Sequence, residues 1–266
     1  MVYEIYLCRF ASAPGTSATL YLNYHLYGEP VEDAKTDYYV WVIKGRDRTV
    51  LVDTGFNKET AKKRSKTLHM EVPVFWDFLE IDRSKPVELI LTHLHYDHAG
   101  NVGELSDPRI YLAKSEWDFW LSEQSKGFLI DYYREDADIA RLQELEDKGS
   151  ITFFEGEIEV APGIRVLEVG GHTPGQAMVL VETVEGKVLL ASDAVHFQKE
   201  LVEDKPFTAV TDLPGLYAGL GQVREMLQEG EIVTVISGHD PCELERASYV
   251  SHNVGIVGAG GKPTTR

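Results

Sequence analysis

The most constraining stretch of this chain is "LILTHLHYDHAGN", residues 89 to 101, in which an apolar run ends abruptly in three histidines and an aspartate. His93, His95 and Asp97 alternate, so in an extended segment leaving a strand they point the same way. His98 then begins a turn that Gly100 permits. Gathered imidazoles compete for the same hydrogen-bond partners unless something satisfies all of them at once. A cation does so, because neutral imidazole nitrogen and carboxylate oxygen both suit zinc or iron. The cluster therefore predicts a strand whose C-terminal end opens onto a metal site.

Three further segments carry the same signature of an apolar strand followed by a polar exit. His172 follows "IRVLEV" in the Gly-rich "GGHTPG", Asp193 follows "KVLLAS", and His239 follows "IVTVIS". Strand exits on a rigid scaffold are where ligands from distant parts of a chain are brought to one place. Other strand-length apolar segments are 38–43, 49–54, 109–113, 151–154 and 177–183, each bounded by Gly, Pro or charge. The clearest helix is 213–229, with Asp212 as cap, Pro214 in its first turn, Gly230 at its end, and Leu216, Leu220, Val223 and Leu227 on one face. Shorter helices are expected at 115–123, capped by Ser115, and over the polar stretch 134–148. Strands in groups with helices after them predict sheets packed face to face with helices outside.

With 43% hydrophobic residues among 266, the chain can bury a sizeable core. No run of eighteen apolar residues spans a bilayer, so no membrane association is expected. The N-terminus lacks a basic region ahead of an apolar one, and only Cys8 and Cys242 are present, which points to a reducing cytoplasm. Forty-three acidic against 26 basic residues give a formal charge of −17, which repels phosphate backbones and argues against nucleic acid as a partner.

Taken together, "VDTG" (52–55), "THLHYDHAG" (92–100), "GGHTPG" (170–175), "ASDA" (191–194) and "SGHD" (237–240) resemble the metallo-β-lactamase superfamily across most of the chain. Within that superfamily the sequence is most similar to the N-acyl-homoserine-lactonase-like group. The resemblance implies an α/β fold, a four-layer αβ/βα sandwich of two facing mixed sheets with helices outside. It implies one hydrolase domain, over 1–252; the Gly-rich sequence after it, 253–266, reads as a flexible tail. It implies two Zn²⁺ per chain, with iron or manganese as alternatives. His93, His95 and His172 would hold one ion and Asp97, His98 and His239 the other, with Asp193 bridging. The implied reaction is hydrolysis of a small-molecule lactone, foremost an N-acyl-homoserine lactone; another cyclic ester, a cyclic amide or a thioester is the alternative. Asp97 would also relay a proton to the leaving oxygen. A homodimer is left open.

Asp53 in "VDTG" is expected behind the ligands, accepting from a histidine N–H. Asp240 is expected either there or in a turn. His196, three residues after Asp193, stands where the lactonases carry a tyrosine that contacts the substrate carbonyl, so its N–H is expected to take that part. Two nearby dications would lower its pKa. Cys242, His25, His69 and His252 lie outside the motifs and read as structural or surface residues. Phe75, Trp76, Trp117, Trp120 and Phe128 read mainly as core, with an acyl-chain wall as the functional alternative.

Overall fold

The computed structural model describes residues 1–260 as two sheets packed face to face. In the larger sheet the strands run in the order Ser248–Ser251, Val254–Val257, Glu4–Thr16, Asp33–Lys44, Thr49–Val52, Pro86–Ile90, Asp107–Ala113 and Ile151–Phe154; Thr67–Leu68 pairs off this path with Glu4–Thr16. The smaller sheet runs Thr234–Ser237, Gly186–Ser192, Ala177–Thr183, Ile164–Glu168 and Glu157–Ala161. Both are mixed. Thr49–Val52, Pro86–Ile90, Asp107–Ala113 and Ile151–Phe154 are mutually parallel, as are Gly186–Ser192 and Thr234–Ser237, and the remaining pairs are antiparallel.

Strand periodicity sorts the core into layers. In Asp33–Lys44, Tyr39, Trp41 and Ile43 face the other sheet, while Tyr38, Val40 and Val42 face the outer helices. In the smaller sheet Val179 and Val181 point inward, and Met178 and Leu180 meet the helix Leu213–Gln228. The helices Val72–Phe78, Lys114–Leu121 and Asp136–Asp147 cover the larger sheet. The result is the expected four-layer sandwich.

Local expectations fared unevenly. Leu213–Gln228 forms as expected, and Gly230 beyond it takes a φ of 71°. Asp212 occupies the cap position but makes no side-chain capping bond, and the face drifts so that Met226, not Leu227, is buried. Each buried Leu, Val or Met there contributes about 1.5–3 kcal/mol. That outweighs the roughly 1 kcal/mol each helical glycine costs. The 115–123 helix starts at Lys114 on an Ala113 cap; Ser115 instead hydrogen-bonds Glu168. The long strand Glu4–Thr16 escaped the sequence reading because Arg9, Pro14 and small residues break its apolar pattern. The expected tail needs the larger correction. Val254–Val257 pairs antiparallel with Glu4–Thr16, so Gly-rich sequence here completes a sheet edge rather than fraying. Residues 261–266 of that tail lie outside the described residues.

Candidate metal centre

All seven residues picked out by spacing meet at one end of the sandwich, between the two sheets. His93 to His98 leave the strand Pro86–Ile90 and turn through the short helix Tyr96–Ala99. His172 follows Ile164–Glu168, Asp193 follows Gly186–Ser192, and His239 follows Thr234–Ser237. Two residues beside them are held in left-handed backbone, Asp53 at φ 59° and Ser192 at φ 46°. Non-glycine residues adopt that region at a cost and concentrate at functional sites. Gly238 has to be glycine, because a Cβ there would collide with the carboxylate of Asp193.

Donor atoms converge in four sets, His93–His95–His172, Asp97–His98–His239, His93–His98–Asp193 and His172–Asp193–His196, within each of which the candidate ligand atoms lie within 4.8 Å of one another. The far ring nitrogens are fixed by hydrogen bonds. His98 Nδ1 donates to Asp53 Oδ2 at 2.7 Å, His172 Nδ1 to the Ala209 carbonyl at 2.8 Å, and His239 Nδ1 to the Asp37 carbonyl at 2.8 Å. His93 Nδ1 contacts Thr92 Oγ at 3.2 Å, and that hydroxyl donates to Asp53 Oδ2. Each Nε2 is thereby left facing the centre with its lone pair. His95 turns the other way. Its Nδ1 lies 2.9 Å from His172 Nε2, so two imidazole nitrogens point at one spot.

Electrostatics agree with the geometry at His93, His95 and His172. Burial drives His93 and His95 well below the ordinary histidine pKa and His172 down to about 3, so all three rings are neutral donors. Burial also pulls His98 down, but Asp193, Asp53 and Asp97 outweigh it and raise its pKa well above the usual value. Burial would raise Asp193; the surrounding His239, His98 and His196 hold it well below the carboxylate range. His93 Nε2, His98 Nε2 and Asp193 Oδ1 are buried without a hydrogen-bond partner among the described residues. Buried polar atoms are rarely left so. Nitrogen and oxygen donors in two threes with a shared carboxylate fit a pair of divalent cations.

Asp53 stands behind His98 as expected. Asp240 does not support a ligand: Oδ1 accepts from Cys242 N and Oδ2 from Gln198 N, which makes it a turn residue. Cys242 is exposed, as are His25, His69 and His252. His196 departs from its expected place. Its ring is fully buried, stacked on Phe207 at 3.9 Å, with Nε2 3.3 Å from Asp193 Oδ2 and Nδ1 3.5 Å from Glu200 Oε2. It lines neither cavity at the centre; both its ring nitrogens lack a hydrogen-bond partner among the described residues, and the ring clusters with His172 and Asp193. Burial lowers its pKa, but Asp193 and Glu200 raise it to about 9.

Two buried glutamates went unread in the sequence. Glu116 accepts from Leu94 N at 2.9 Å, Trp120 Nε1 at 2.7 Å and Gly175 N at 2.9 Å, tying the His93–His95 segment to the His172 loop. Its signal was a carboxylate four residues before Trp120 on the apolar face of a helix. Glu200 accepts from the backbone of His196, Phe197 and Phe207 and holds the loop after Asp193.

Two adjoining cavities open at the donors. One, of about 270 Å³, is walled by Pro14, Tyr38, Lys66, Asp97, Asp193 and His239. The other, of about 340 Å³, is walled chiefly by Leu22, Phe128, Leu129, Ile130 and Val210. His95, His172, Tyr132, Tyr133, Thr208 and Ala209 border both, and Tyr133 stacks on His95. Phe75, Trp76, Trp117 and Trp120 are core residues, while Phe128 is 89% exposed and forms cavity wall.

Residues 36–239 match the family model described as the Metallo-beta-lactamase superfamily. An N-acyl homoserine lactonase of a Bacillus sp is 28% identical over 231 residues, covering 80% of this chain and 86% of that protein. The acyl-coenzyme A thioesterase MBLAC2 of Bos taurus is 21% identical over 222 residues, covering 75% of this chain and 72% of that protein. A solved quorum-quenching N-acyl homoserine lactone lactonase superposes with a TM-score of 0.76 at 19% identity, covering 92% of this chain and 95% of that one. At that identity the structural likeness speaks for the fold.

Proposed function

The chain belongs to the metallo-beta-lactamase superfamily, and from that premise we propose that it is a dinuclear metal-dependent hydrolase that opens a lactone ring. The observation that carries the reading is the set of buried, unpartnered donor atoms on His93, His98 and Asp193. His93, His95 and His172 would hold one cation and Asp97, His98 and His239 the other, with Asp193 available to both. Zinc is the first choice for such donors, with iron or manganese as alternatives. A pair of divalent cations in this position acidifies water and polarises an ester carbonyl.

The rest falls to the chain's own side chains. Asp53, the Ala209 carbonyl and the Asp37 carbonyl keep His98, His172 and His239 in the donor tautomer. Asp97, on the cavity wall, takes a proton at its carboxylate and passes it to the leaving oxygen. The exposed apolar side chains in the Phe128–Ile130 wall offer a surface for an apolar substituent, which suits the acyl chain of an N-acyl-homoserine lactone. Thioester hydrolysis is the second reading, favoured by the thioesterase relative.

The test is a hydrolysis screen on metal-loaded protein, with N-acyl-homoserine lactones of graded chain length, simple lactones, cyclic amides and thioesters, alongside elemental analysis. Two ions per chain and fastest turnover on acyl lactones are expected. One ion per chain at full activity refutes the dinuclear centre, and thioesters outpacing every lactone refute the lactonase reading.

A further inference from the structure

Lys66 is an oddly placed cation. In a chain of formal charge −17, its side chain enters the smaller cavity, in the company of Tyr38, Asp97, Asp193 and His239. It is half-buried, and its ammonium lies over the Tyr38 ring at 5.3 Å. No ion pair or side-chain hydrogen bond engages it among the described residues. Its neighbour Arg64 is already matched, paired with Glu135 at 2.8 Å and stacked on Tyr96. Burial lowers the Lys66 pKa, Asp97 is the carboxylate that opposes this, and Arg64 adds to the lowering.

Asp97 cannot neutralise Lys66 and serve a cation in full at once. With Asp97 committed to its cation, Lys66 is a partly desolvated ammonium facing the reaction cavity without a counter-charge, which is a costly arrangement. An anionic group on the bound molecule removes that cost. The two cavities also divide the labour. Lys66 and Tyr38 border only the smaller, Phe128 and Leu129 only the larger, and the His95–His172 pair borders both. We propose that Lys66 is a specificity-determining residue, and that the site selects esters or lactones carrying a carboxylate on one flank of the scissile carbonyl and an apolar chain on the other. This rests on the hydrolase reading and moves its substrate class from neutral acyl lactones to carboxylate-bearing ones; the chemistry at the carbonyl is unchanged.

The test uses a matched pair of substrates on metal-loaded enzyme. One is an aryl ester whose chain ends in a free carboxylate, the other the same ester ending in a primary amide. Wild type is expected to favour the carboxylate through KM. Lys66→Met keeps the aliphatic stem and removes the charge. It is expected to raise KM for the carboxylate about 10-fold more than for the amide, with the kcat ratio of the pair held within about 2-fold, as for loss of a charge-assisted hydrogen bond. Lys66→Arg is expected to recover most of the preference. Calorimetric binding of the non-hydrolysable amide-linked counterparts gives the same comparison without turnover. Any direct carboxylate–metal contact is common to wild type and variant and cancels. Equal effects on both members of the pair, or a wild type that binds them alike, overturn the proposal. A wild type that cleaves the esters but no lactone overturns the lactonase reading while leaving the Lys66 assignment standing.

Discussion

Asp193 and Glu116 are both acidic side chains sealed from solvent, at 3% and 0% exposure. Around Glu116 every interaction is made by the protein. Three N–H donors from Leu94, Trp120 and Gly175 meet its two oxygens, and a Cβ on Gly175 would strike Glu116 itself. Burial still raises its pKa, since those donors only partly replace water. Around Asp193 the protein stops short. Oδ1 has no partner among the described residues, and Oδ2 faces the Nε2 atoms of His239, His196 and His172 at 3.1–3.5 Å. A carboxylate answered by backbone N–H groups is a strut; one surrounded by inward-facing imidazoles is built for a cation. Asp53 lies between the two. It accepts from Thr92 N and Thr92 Oγ like a strut, and from His98 Nδ1 on behalf of the centre.

The contrast breaks most visibly at Asp193. Asp193→Ala is expected to release both ions and lower turnover by about 10³-fold or more, because the shared oxygen serves both donor sets. Retention of two ions by elemental analysis would show that the carboxylate is not shared. Much of the accompanying loss of stability should vanish when wild type and variant are both stripped of metal, since bound cations stabilise only the folded chain.

Glu116→Ala comes next and should behave oppositely. It leaves three buried N–H groups without an acceptor, a loss of about 3 kcal/mol. Denaturant titration should find that loss in metal-loaded and metal-stripped protein alike. A loss confined to the loaded form would move Glu116 from scaffold to centre.

Asp53→Asn tests the intermediate case and should have the smallest effect. The amide keeps an acceptor for one Thr92 donor but weakens the grip on His98, so metal affinity should fall about 10- to 100-fold with the fold intact. Chelator competition measures this directly, and unchanged affinity would reduce Asp53 to a turn residue held at positive φ.

The ligand set was legible in the sequence because each ligand sits one to eight positions beyond an apolar strand, and strand exits are local features. The nine strands read from periodicity are all present, since a run such as "YYVWVI" buries alternate residues in either layer. Other features had no local signature. Glu4–Thr16 is a strand because Asp33–Lys44 and Val254–Val257 flank it, and the same pairing orders part of a Gly-rich end that composition alone marked as loose. The burial of His196 had none either, because Glu200 and Phe207, four and eleven residues on, close over the ring.

By itself, then, the sequence determined which side chains gather at the strand ends and the chemistry their atoms suit, because residue type and strand period are properties of short segments. Tertiary structure alone decided which nitrogen of each histidine faces inward, which buried acids are struts, and that Lys66 and Phe128 border different cavities that share His95 and His172. Those outcomes depend on partners far away in the chain: Asp37 for His239, Asp53 for His98, Ala209 for His172. A hydrogen bond or a cavity wall between distant segments exists only once the sheets have packed.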